Sequence, residues 1–452
     1  SDGGDAFGHG QESIVGHVGG NQSADFGVDG AFGEGPRMPG GFVGGELGLG
    51  TGGTADGAAS ARDDQQQILA GLTDPGEWHH LGGDWHASAH DGSAPEGGAL
   101  AGAKAPLIIT TTVGRYANAL PVLAGLADLF AVPVVAHWAR YLCLPTDHPM
   151  HAGSAPGPEL KNADVVLVVD SDVPWIPAIE APATSTKVVQ LGIDPLYGAY
   201  PMRTFAADVV INAHPVTGMR ALHNALADRI DKKSPDIAAR RKALAMVRNE
   251  RHATDAKALD DVKDAVPISP AWVTHCIDRI KGDNAILVNE SPLQQDHLTL
   301  SAPGSFFSAS PVGGLGWGMG AALGLKLGAP DKLVIAALGD GAYMFGNPTS
   351  AHFVSRALGL PVLIVIFNNR MWGAVSRATK FMYPDGYAAK SNQVPLTRLE
   401  PAPDLEMVVA ASGGYGVMVD DPRSLEAELA KARDIVLNEY RQAVVNVVTQ
   451  GV

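Results

Sequence analysis

The chain has few cysteines and no long apolar stretch. Cys143 and Cys276 lie far apart among its 452 residues and form no metal-binding or redox spacing, so we expect two buried apolar thiols. No apolar run approaches the roughly 18 residues that a membrane span needs, and no leader of charged and then apolar residues is recognisable. We therefore expect neither a membrane span nor a signal peptide, and a reducing, cytoplasmic location.

Lysine is missing altogether from residues 1–103. Their two basic residues, Arg37 and Arg62, and their fifteen Asp and Glu give this segment a net charge of −13. The whole chain carries −15, so the remaining 349 residues carry only −2. No basic patch or stripe occurs anywhere, which argues against nucleic-acid binding.

Residues 1–100 also hold 27 of the 54 glycines and show no helical or strand periodicity. This composition disfavours a packed core, so we predict a glycine-rich segment over 1–103 that is disordered or aberrant. Its histidines lack the ligand spacing of a zinc site, and no metal site is predicted from His79, His80, His86 and His90.

From Lys104 onward, apolar runs alternate with helix-favouring segments. Alternation of this kind is typical of doubly wound parallel sheets, so we predict two α/β domains. The central domain is expected over 104–228, a charged helical linker over 229–265 and the second domain over 266–452. In the central domain, strands are predicted over 106–111, 132–136, 163–170, 187–193 and 207–211.

The most informative stretch begins with the apolar run 333–338, which predicts a buried strand. Gly339-Asp340-Gly341 follows as a turn, and Asn347-Pro348 is typical of a helix start. A second apolar run over 361–367 predicts another strand, which ends in Asn368-Asn369.

Strands joined through a helix run parallel, so Asp340 and Asn369 should both lie at carboxyl ends of strands. Open α/β sheets bind their ligands at that edge. A carboxylate and an amide oxygen are suitable ligands for an Mg²⁺ ion that also binds a diphosphate. The neighbouring glycines leave backbone groups accessible to that diphosphate. The alternative is an ordinary strand–helix–strand unit with a glycine turn and a polar strand end.

This unit resembles the GDG…NN signature of thiamine diphosphate (ThDP) enzymes, and most closely the acetolactate synthase-like group. The resemblance implies that the Asp340 carboxylate, the Asn369 side-chain oxygen and the Met371 backbone carbonyl bind Mg²⁺. It also implies that backbone N–H groups of Gly339, Gly341 and Ala342 face the diphosphate.

The glycine-rich segment 313–318 resembles a second cofactor contact of this family. There, a bulky apolar side chain wedges between the two rings of the cofactor and a backbone carbonyl accepts a hydrogen bond from its 4′-amino group. The resemblance implies Leu315 as the wedge and Gly313 as the carbonyl. The alternatives are a glycine-rich helix start and a dinucleotide-binding loop. The latter is poor, because no acidic residue ends a second strand at the expected distance.

Three other residues lie near the signature. His352 is expected to be a packing histidine rather than a general base, because nothing pairs it with a reacting group. Arg370 and Trp372 follow the paired asparagines; they shape the substrate pocket, or they have a solvent-facing or packing role.

The glutamate that contacts the pyrimidine N1′ in this family is not recognisable. It belongs to a separate pyrimidine-binding domain, and His9-Gly10-Gln11-Glu12 matches its setting poorly. No catalytic residue is therefore identified. The glutamate domain resides on a partner chain, or the chain is a degenerate member that does not catalyse, or residues 1–103 are an out-of-frame translation of a GC-rich gene. The glycine-rich, lysine-free and aperiodic composition of residues 1–103 favours the out-of-frame explanation.

The resemblance covers about 104–452 and implies ThDP- and Mg²⁺-dependent decarboxylation or carboligation of a 2-oxo acid by a lyase or transferase. It also implies a homodimer or homotetramer, because the active site of this family spans two subunits. The segment RMWGAVSRATKFMYPDGY departs from the Gly-Met-Val and Gln-Trp-Gln of acetolactate synthases, which leaves the substrate open. Binding of FAD is also left open, and a non-catalytic or partner-dependent family member is the alternative.

Overall fold

The structure is a computed structural model that describes residues 100–452 except 201–204, 206, 232–233, 291, 310–313, 392–395 and 452. The glycine-rich segment up to residue 99, with its histidines and Glu12, lies outside the described residues, and so does Gly313. None of the described helices is both long and apolar enough to cross a membrane.

The first sheet consists of five parallel strands in the order β2-β1-β3-β4-β5. They are β1 (Pro106–Thr110), β2 (Val134–Ala136), β3 (Val165–Val169), β4 (Lys187–Gly192) and β5 (Val209–Asn212). The accompanying helices are α1 (Ala119–Phe130), α2 (Gly157–Asn162) and α3 (Pro215–Ala227). Every residue of β3 is buried, as expected of a parallel strand that is covered on both faces.

Helix α4 (Pro235–Val262) corresponds to the predicted linker helix, and Ile237 is its only buried residue. Ile237 packs into the core of the central domain, and the arginines of the helix attach it further by donating to backbone carbonyls. Arg240 donates to the carbonyls of Phe130 and Ala131, and Arg251 donates to that of His151. The sequence prediction of a solvated helix between two domains agrees with this arrangement.

The second sheet has six parallel strands in the order β10-β11-β9-β8-β6-β7. They are β6 (Ala285–Glu290), β7 (Phe306–Ser308), β8 (Leu333–Gly339), β9 (Leu363–Asn368), β10 (Tyr415–Val419) and β11 (Ala443–Val448). The helices are α5 (Pro270–Lys281), α6 (Trp317–Gly328), α7 (Asp340–Phe345), α8 (Pro348–Ala357), α9 (Gly373–Met382), α10 (Tyr387–Lys390) and α11 (Pro422–Asn438).

Alternate residues of the second sheet supply two apolar cores. Ile335 of β8 packs into the core shared with α5 and α11, whereas its neighbours Val334 and Ala336 pack into the core shared with α6. This alternation follows from the period of two residues in a strand. Helices therefore cover both faces, and the two parallel-sheet α/β domains predicted from the sequence are confirmed. The domain boundaries drawn there stay a prediction.

The edge strand β7 of the second sheet contacts a loop of the central domain. Tyr141 and Phe307 form an antiparallel bridge, and the N–H of Ser308 donates to the carbonyl of Arg140 over 2.9 Å. The hydroxyl of Thr146 donates to the carbonyl of Leu298. These contacts cover the edge of β7 that would otherwise expose unpaired backbone groups.

Candidate functional site

Polar residues end three neighbouring strands of the second sheet. Glu290 is the last residue of β6, Asp340 directly follows β8, and Asn368-Asn369 ends β9. Because β9, β8 and β6 are adjacent and parallel, these residues meet at one edge of the sheet. The sequence predicted this meeting for Asp340 and Asn369, but it assigned no role to Glu290.

A single backbone N–H, that of Met371, connects the two side chains among the three predicted metal ligands. The N–H of Met371 lies 3.2 Å from Oδ2 of Asp340 and 3.1 Å from Oδ1 of Asn369. The second carboxylate oxygen, Oδ1 of Asp340, accepts the N–H of Gly341 over 2.8 Å. The Met371 carbonyl accepts the N–H of Gly373 over 2.8 Å, which leaves one of its two lone pairs for another partner. All three predicted ligands therefore lie together.

Asp340 is only 3% exposed, and within the described part of the chain its carboxylate has backbone N–H partners but no Lys, Arg or His partner. Burial raises the pKa of Asp340, while the hydrogen bonds from Gly341 and Met371 act in the opposite direction. A buried carboxylate without a cationic partner is unfavourable, and a hard cation bound through oxygen ligands would compensate it. The residues present thus fit Mg²⁺.

The backbone after β9 is held in an unusual conformation. Arg370 has a φ of 57°, which non-glycine residues seldom adopt. A neighbouring segment secures it, because the N–H of Leu399 donates to the Arg370 carbonyl and the N–H of Trp372 donates to the Thr397 carbonyl. The resulting turn directs the Met371 N–H toward Asp340.

Gly339, Gly341 and Ala342 lie at the junction of β8 and α7. Helix α7 begins at Asp340, where the sequence predicted a loop. Gly341 and Ala342 are in its first turn, whose N–H groups have no partners within the helix. The N–H of Gly341 points to the Asp340 carboxylate. Their contact with a diphosphate stays a prediction.

Leu315 is 45% exposed and lies in a glycine turn between β7 and α6. The turn approaches α7 closely, since a Cβ atom on Gly316 would lie 2.7 Å from the backbone N and Cα of Gly346. The N–H groups of Gly316 and Gly318 donate to Glu290. The roles of Leu315 as wedge and Gly313 as carbonyl stay predictions. The signal for Glu290 was an acidic residue that ends an otherwise apolar strand.

His352 belongs to a buried hydrogen-bond network rather than to the strand edge. Its Nε2 accepts the hydroxyl of Tyr343 over 2.7 Å, and its Nδ1 donates to Oε1 of Gln442 over 2.6 Å. Burial lowers the pKa of His352 and favours the neutral ring. The network agrees with the expected packing role. Burial raises the pKa of Tyr343, so that its hydroxyl keeps its proton.

The carboxyl edge of the first sheet is where a second ligand, such as the FAD left open above, would be sought. Asp170, with a φ of 51°, accepts hydrogen bonds there from the Thr112 hydroxyl and the Arg115 guanidinium. These polar groups satisfy one another, and FAD binding is still undecided.

Comparison with known proteins agrees with the geometry. The family model described as the C-terminal TPP-binding domain of thiamine pyrophosphate enzymes matches residues 292–447. An acetolactate synthase large subunit of Mycobacterium tuberculosis is 26% identical over 371 residues, covering 78% of this chain and 60% of its own length. A 2-hydroxyacyl-CoA lyase of Oryza sativa is 25% identical over 382 residues, covering 80% of this chain and 62% of its own.

Solved structures share the fold. A thiamine diphosphate-dependent 4-hydroxybenzoylformate decarboxylase of Rhodococcus jostii has a TM-score of 0.61 at 21% identity, over 78% of this chain and 62% of its own. A benzoylformate decarboxylase of Polynucleobacter necessarius has a TM-score of 0.60 at 20% identity, over 79% of this chain and 64% of its own.

The two parallel-sheet α/β domains of this chain thus have the fold of these solved structures. Residues 292–447 therefore match the TPP-binding domain of thiamine pyrophosphate enzymes, and the chain is similar to acetolactate synthase-like members of that family. It spans about 60% of the length of the curated relatives that it matches.

Proposed function

We propose that this chain binds ThDP with Mg²⁺ at the carboxyl edge of the second sheet and decarboxylates or ligates a 2-oxo acid. The observation that carries the proposal is the convergence of Asp340, Asn369 and Met371, which one N–H joins. An ordinary strand–helix–strand unit gives no reason for a buried carboxylate without a cationic partner at this point.

The chain's own residues would bind and orient the cofactor. The Asp340 carboxylate, the Asn369 amide oxygen and the Met371 carbonyl would hold Mg²⁺, which neutralises diphosphate charge. Gly339, Gly341 and Ala342 would present backbone N–H groups to the same diphosphate. Leu315 would support the two rings, and its glycine neighbours let the backbone approach them.

When bound, ThDP supplies the nucleophilic carbon and the electron sink for chemistry at the substrate carbonyl. Lyases and acyltransferases both occur among the relatives, which include sulfoacetaldehyde acetyltransferases. These names support a 2-oxo acid or related carbonyl substrate. The proposal includes both a lyase and a transferase activity. A cytoplasmic location is part of the same proposal.

We propose that the active unit is a homodimer or homotetramer. Helices α6, α7 and α8 pack against one another beside the candidate site and expose large apolar side chains there. We call this the apolar face, and it consists of Trp317, Met344, Phe345, Phe353, Val354 and Leu358. Groups of exposed large apolar side chains are typical of protein interfaces. We propose that a second copy of this chain covers the apolar face. The alternative is that a separate pyrimidine-domain chain covers it.

A second candidate function is a family member that binds the cofactor without turnover unless a partner supplies the activating glutamate. The absence of a recognisable pyrimidine-domain glutamate from the sequence favours it. Turnover of pyruvate or benzoylformate by the purified chain would separate the two candidates.

Calorimetric titration with ThDP and Mg²⁺ tests the cofactor site. Asp340→Ala should weaken binding by at least ~100-fold, because even residues that only support a metal ligand contribute 10–100-fold. Asp434→Ala is the matched control, since Asp434 pairs with the neighbouring Arg433 at the surface of α11. Equal affinity of the Asp340 variant and the parent would refute the ligand assignment.

A further inference from the structure

Glu290 forms two short hydrogen bonds to the glycine turn that carries Leu315. Its Oε1 accepts the N–H of Gly316 over 2.6 Å, and its Oε2 accepts the N–H of Gly318 over 2.7 Å. Glu290 is only 6% exposed; its bond to Gly318 is buried and its bond to Gly316 is partly buried. Charge-assisted bonds of this length are stronger than neutral ones.

Helix α6 has no capping side chain of its own. Its N-cap residue is Gly316, with a φ of 86° that side chains seldom adopt. The first N–H groups of a helix lack partners within it. Glu290 satisfies two of them from a different strand, and its negative charge also suits the positive end of the helix dipole.

The same turn is restrained from two other sides. A Cβ atom on Gly316 would clash with the backbone of Gly346 at the end of α7, and one on Gly318 would lie 2.3 Å from Cδ2 of Leu338 in β8. The turn is therefore held between β6, β8 and α7, and Glu290 makes its only polar side-chain attachment among the described residues. Leu315, whose side chain is exposed, directly precedes Gly316, the first of the two glycines that these contacts restrain.

We propose that Glu290 is a positioning residue that fixes Leu315 so that Leu315 can support the ring end of ThDP. The inference rests on the proposed cofactor function and extends it. Glu290 acts through the turn and not on the diphosphate, because the Asp340, Asn369 and Met371 cluster has its own hydrogen bonds. Loss of Glu290 should therefore weaken recognition of the rings and spare recognition of the diphosphate.

The test compares two probes, ThDP and inorganic pyrophosphate, each with Mg²⁺. Glu290→Gln is nearly isosteric, but its amide nitrogen would face one of the two N–H donors. We expect this variant to bind ThDP ~10–100-fold more weakly, the usual effect of losing a supporting partner. Pyrophosphate affinity should change less than about twofold, whereas Asp340→Ala should weaken both probes.

Leu315→Ala and the double variant show whether Glu290 acts through Leu315. If Glu290 acts through Leu315, the affinity of the double variant for ThDP should be no lower than that of the single variant with the lower affinity. The reason is that the effects of substitutions at coupled residues do not add. Glu406→Gln is the matched control. Glu406 is also buried and accepts the Asn446 side-chain N–H over 2.8 Å, but it does not bond to the turn.

The results separate the inference from the function on which it rests. A parent chain that binds neither probe overturns the proposed cofactor function, and the inference with it. A parent that binds ThDP and a Glu290→Gln variant that binds it equally well overturn the inference alone. Equal loss for both probes, or additive loss in the double variant, also overturns it. If Glu290→Gln does not fold, Glu290→Asp, which keeps the charge but is too short to reach both donors, gives the same comparison.

Discussion

The indole ring of Trp372 lies directly against the Cα of Gly341. A Cβ atom on Gly341 would be 2.4 Å from ring atoms Cε3 and Cζ3 of Trp372, a distance that real Cβ contacts do not show. The contact joins the first turn of α7 to the residue that follows Met371. It gives Trp372 a packing role, one of the roles that the sequence left open.

Gly341→Ala should displace the Trp372 ring and disturb the Asp340 turn. We expect destabilisation of about 1–3 kcal/mol, as for other overpacked positions, and weaker ThDP binding. Thermal unfolding and calorimetry would measure the two effects. Trp372→Ala in the same chain should recover part of both losses, since the two residues are in contact. Gly324→Ala is the control, because a Cβ atom there meets nothing within 4 Å. A Gly341 variant as stable as the parent would contradict the prediction.

His352→Phe should destabilise the second domain without weakening ThDP binding. The change removes the donor to the Gln442 amide oxygen and leaves the Tyr343 hydroxyl with the Leu405 carbonyl, 3.4 Å away, and we expect a loss of about 1–3 kcal/mol. Urea unfolding would measure the loss, and Tyr343→Phe, which keeps the bond between His352 and Gln442, should cost less. Weaker ThDP binding at unchanged stability would instead give His352 a functional role.

The pH dependence of stability should contain a contribution from His151. Burial, followed by the charges of Arg251, His148 and Arg248, lowers the pKa of His151 to about 4. Its Nδ1 accepts the N–H of Gly153 over 3.3 Å, which requires the unprotonated nitrogen.

Because this pKa is depressed, the contribution of His151 is complete above pH 6.5 and is lost as the pH falls toward 4. The full shift corresponds to at most about 3 kcal/mol. The free energy of unfolding of His151→Gln should decline less over this window than that of the parent. His223→Gln, whose bond to Asn224 is exposed, is the control and should follow the parent. Parallel curves for the parent and His151→Gln would contradict the assignment.

The apolar face should mediate self-association. Phe353 is 65% exposed, so Phe353→Glu should leave stability nearly unchanged and shift the chain toward the monomer in sedimentation velocity. Met246→Glu on α4 is the control, because Met246 is also exposed but lies away from this face. A parent chain that sediments as a monomer would favour a separate pyrimidine-domain chain instead.

Buried parallel strands were the easiest elements to predict. The apolar run 361–367 predicts a strand and the structure has β9 over Leu363–Asn368, because a continuous apolar run rich in β-branched residues indicates a covered strand. Strands β7 and β10 were not predicted. Both lie at sheet edges, and most of their residues are only partly buried, so they lack a continuous apolar signal.

The candidate site was predictable where neighbouring strands follow each other along the chain. Asp340 and Asn369 end β8 and β9, which are consecutive and adjacent. Glu290 ends β6, and it meets the glycine turn only because β6 inserts between β7 and β8. That strand order depends on the packing of the whole sheet, and it cannot be predicted from the spacing of residues along the sequence. Helix α7 was missed because glycine and aspartate begin it, and neither residue favours a helix.

The position of β6 also determines how this chain can be divided. The segment 292–447, which matches the family model, begins just after this strand. A fragment cut there would separate β7 from β8, expose both flanks of the gap to other chains and lose the anchor of the glycine turn. A soluble, cofactor-competent fragment would have to begin before α5, and it would still leave uncovered the β7 edge that the 140–146 loop now shields.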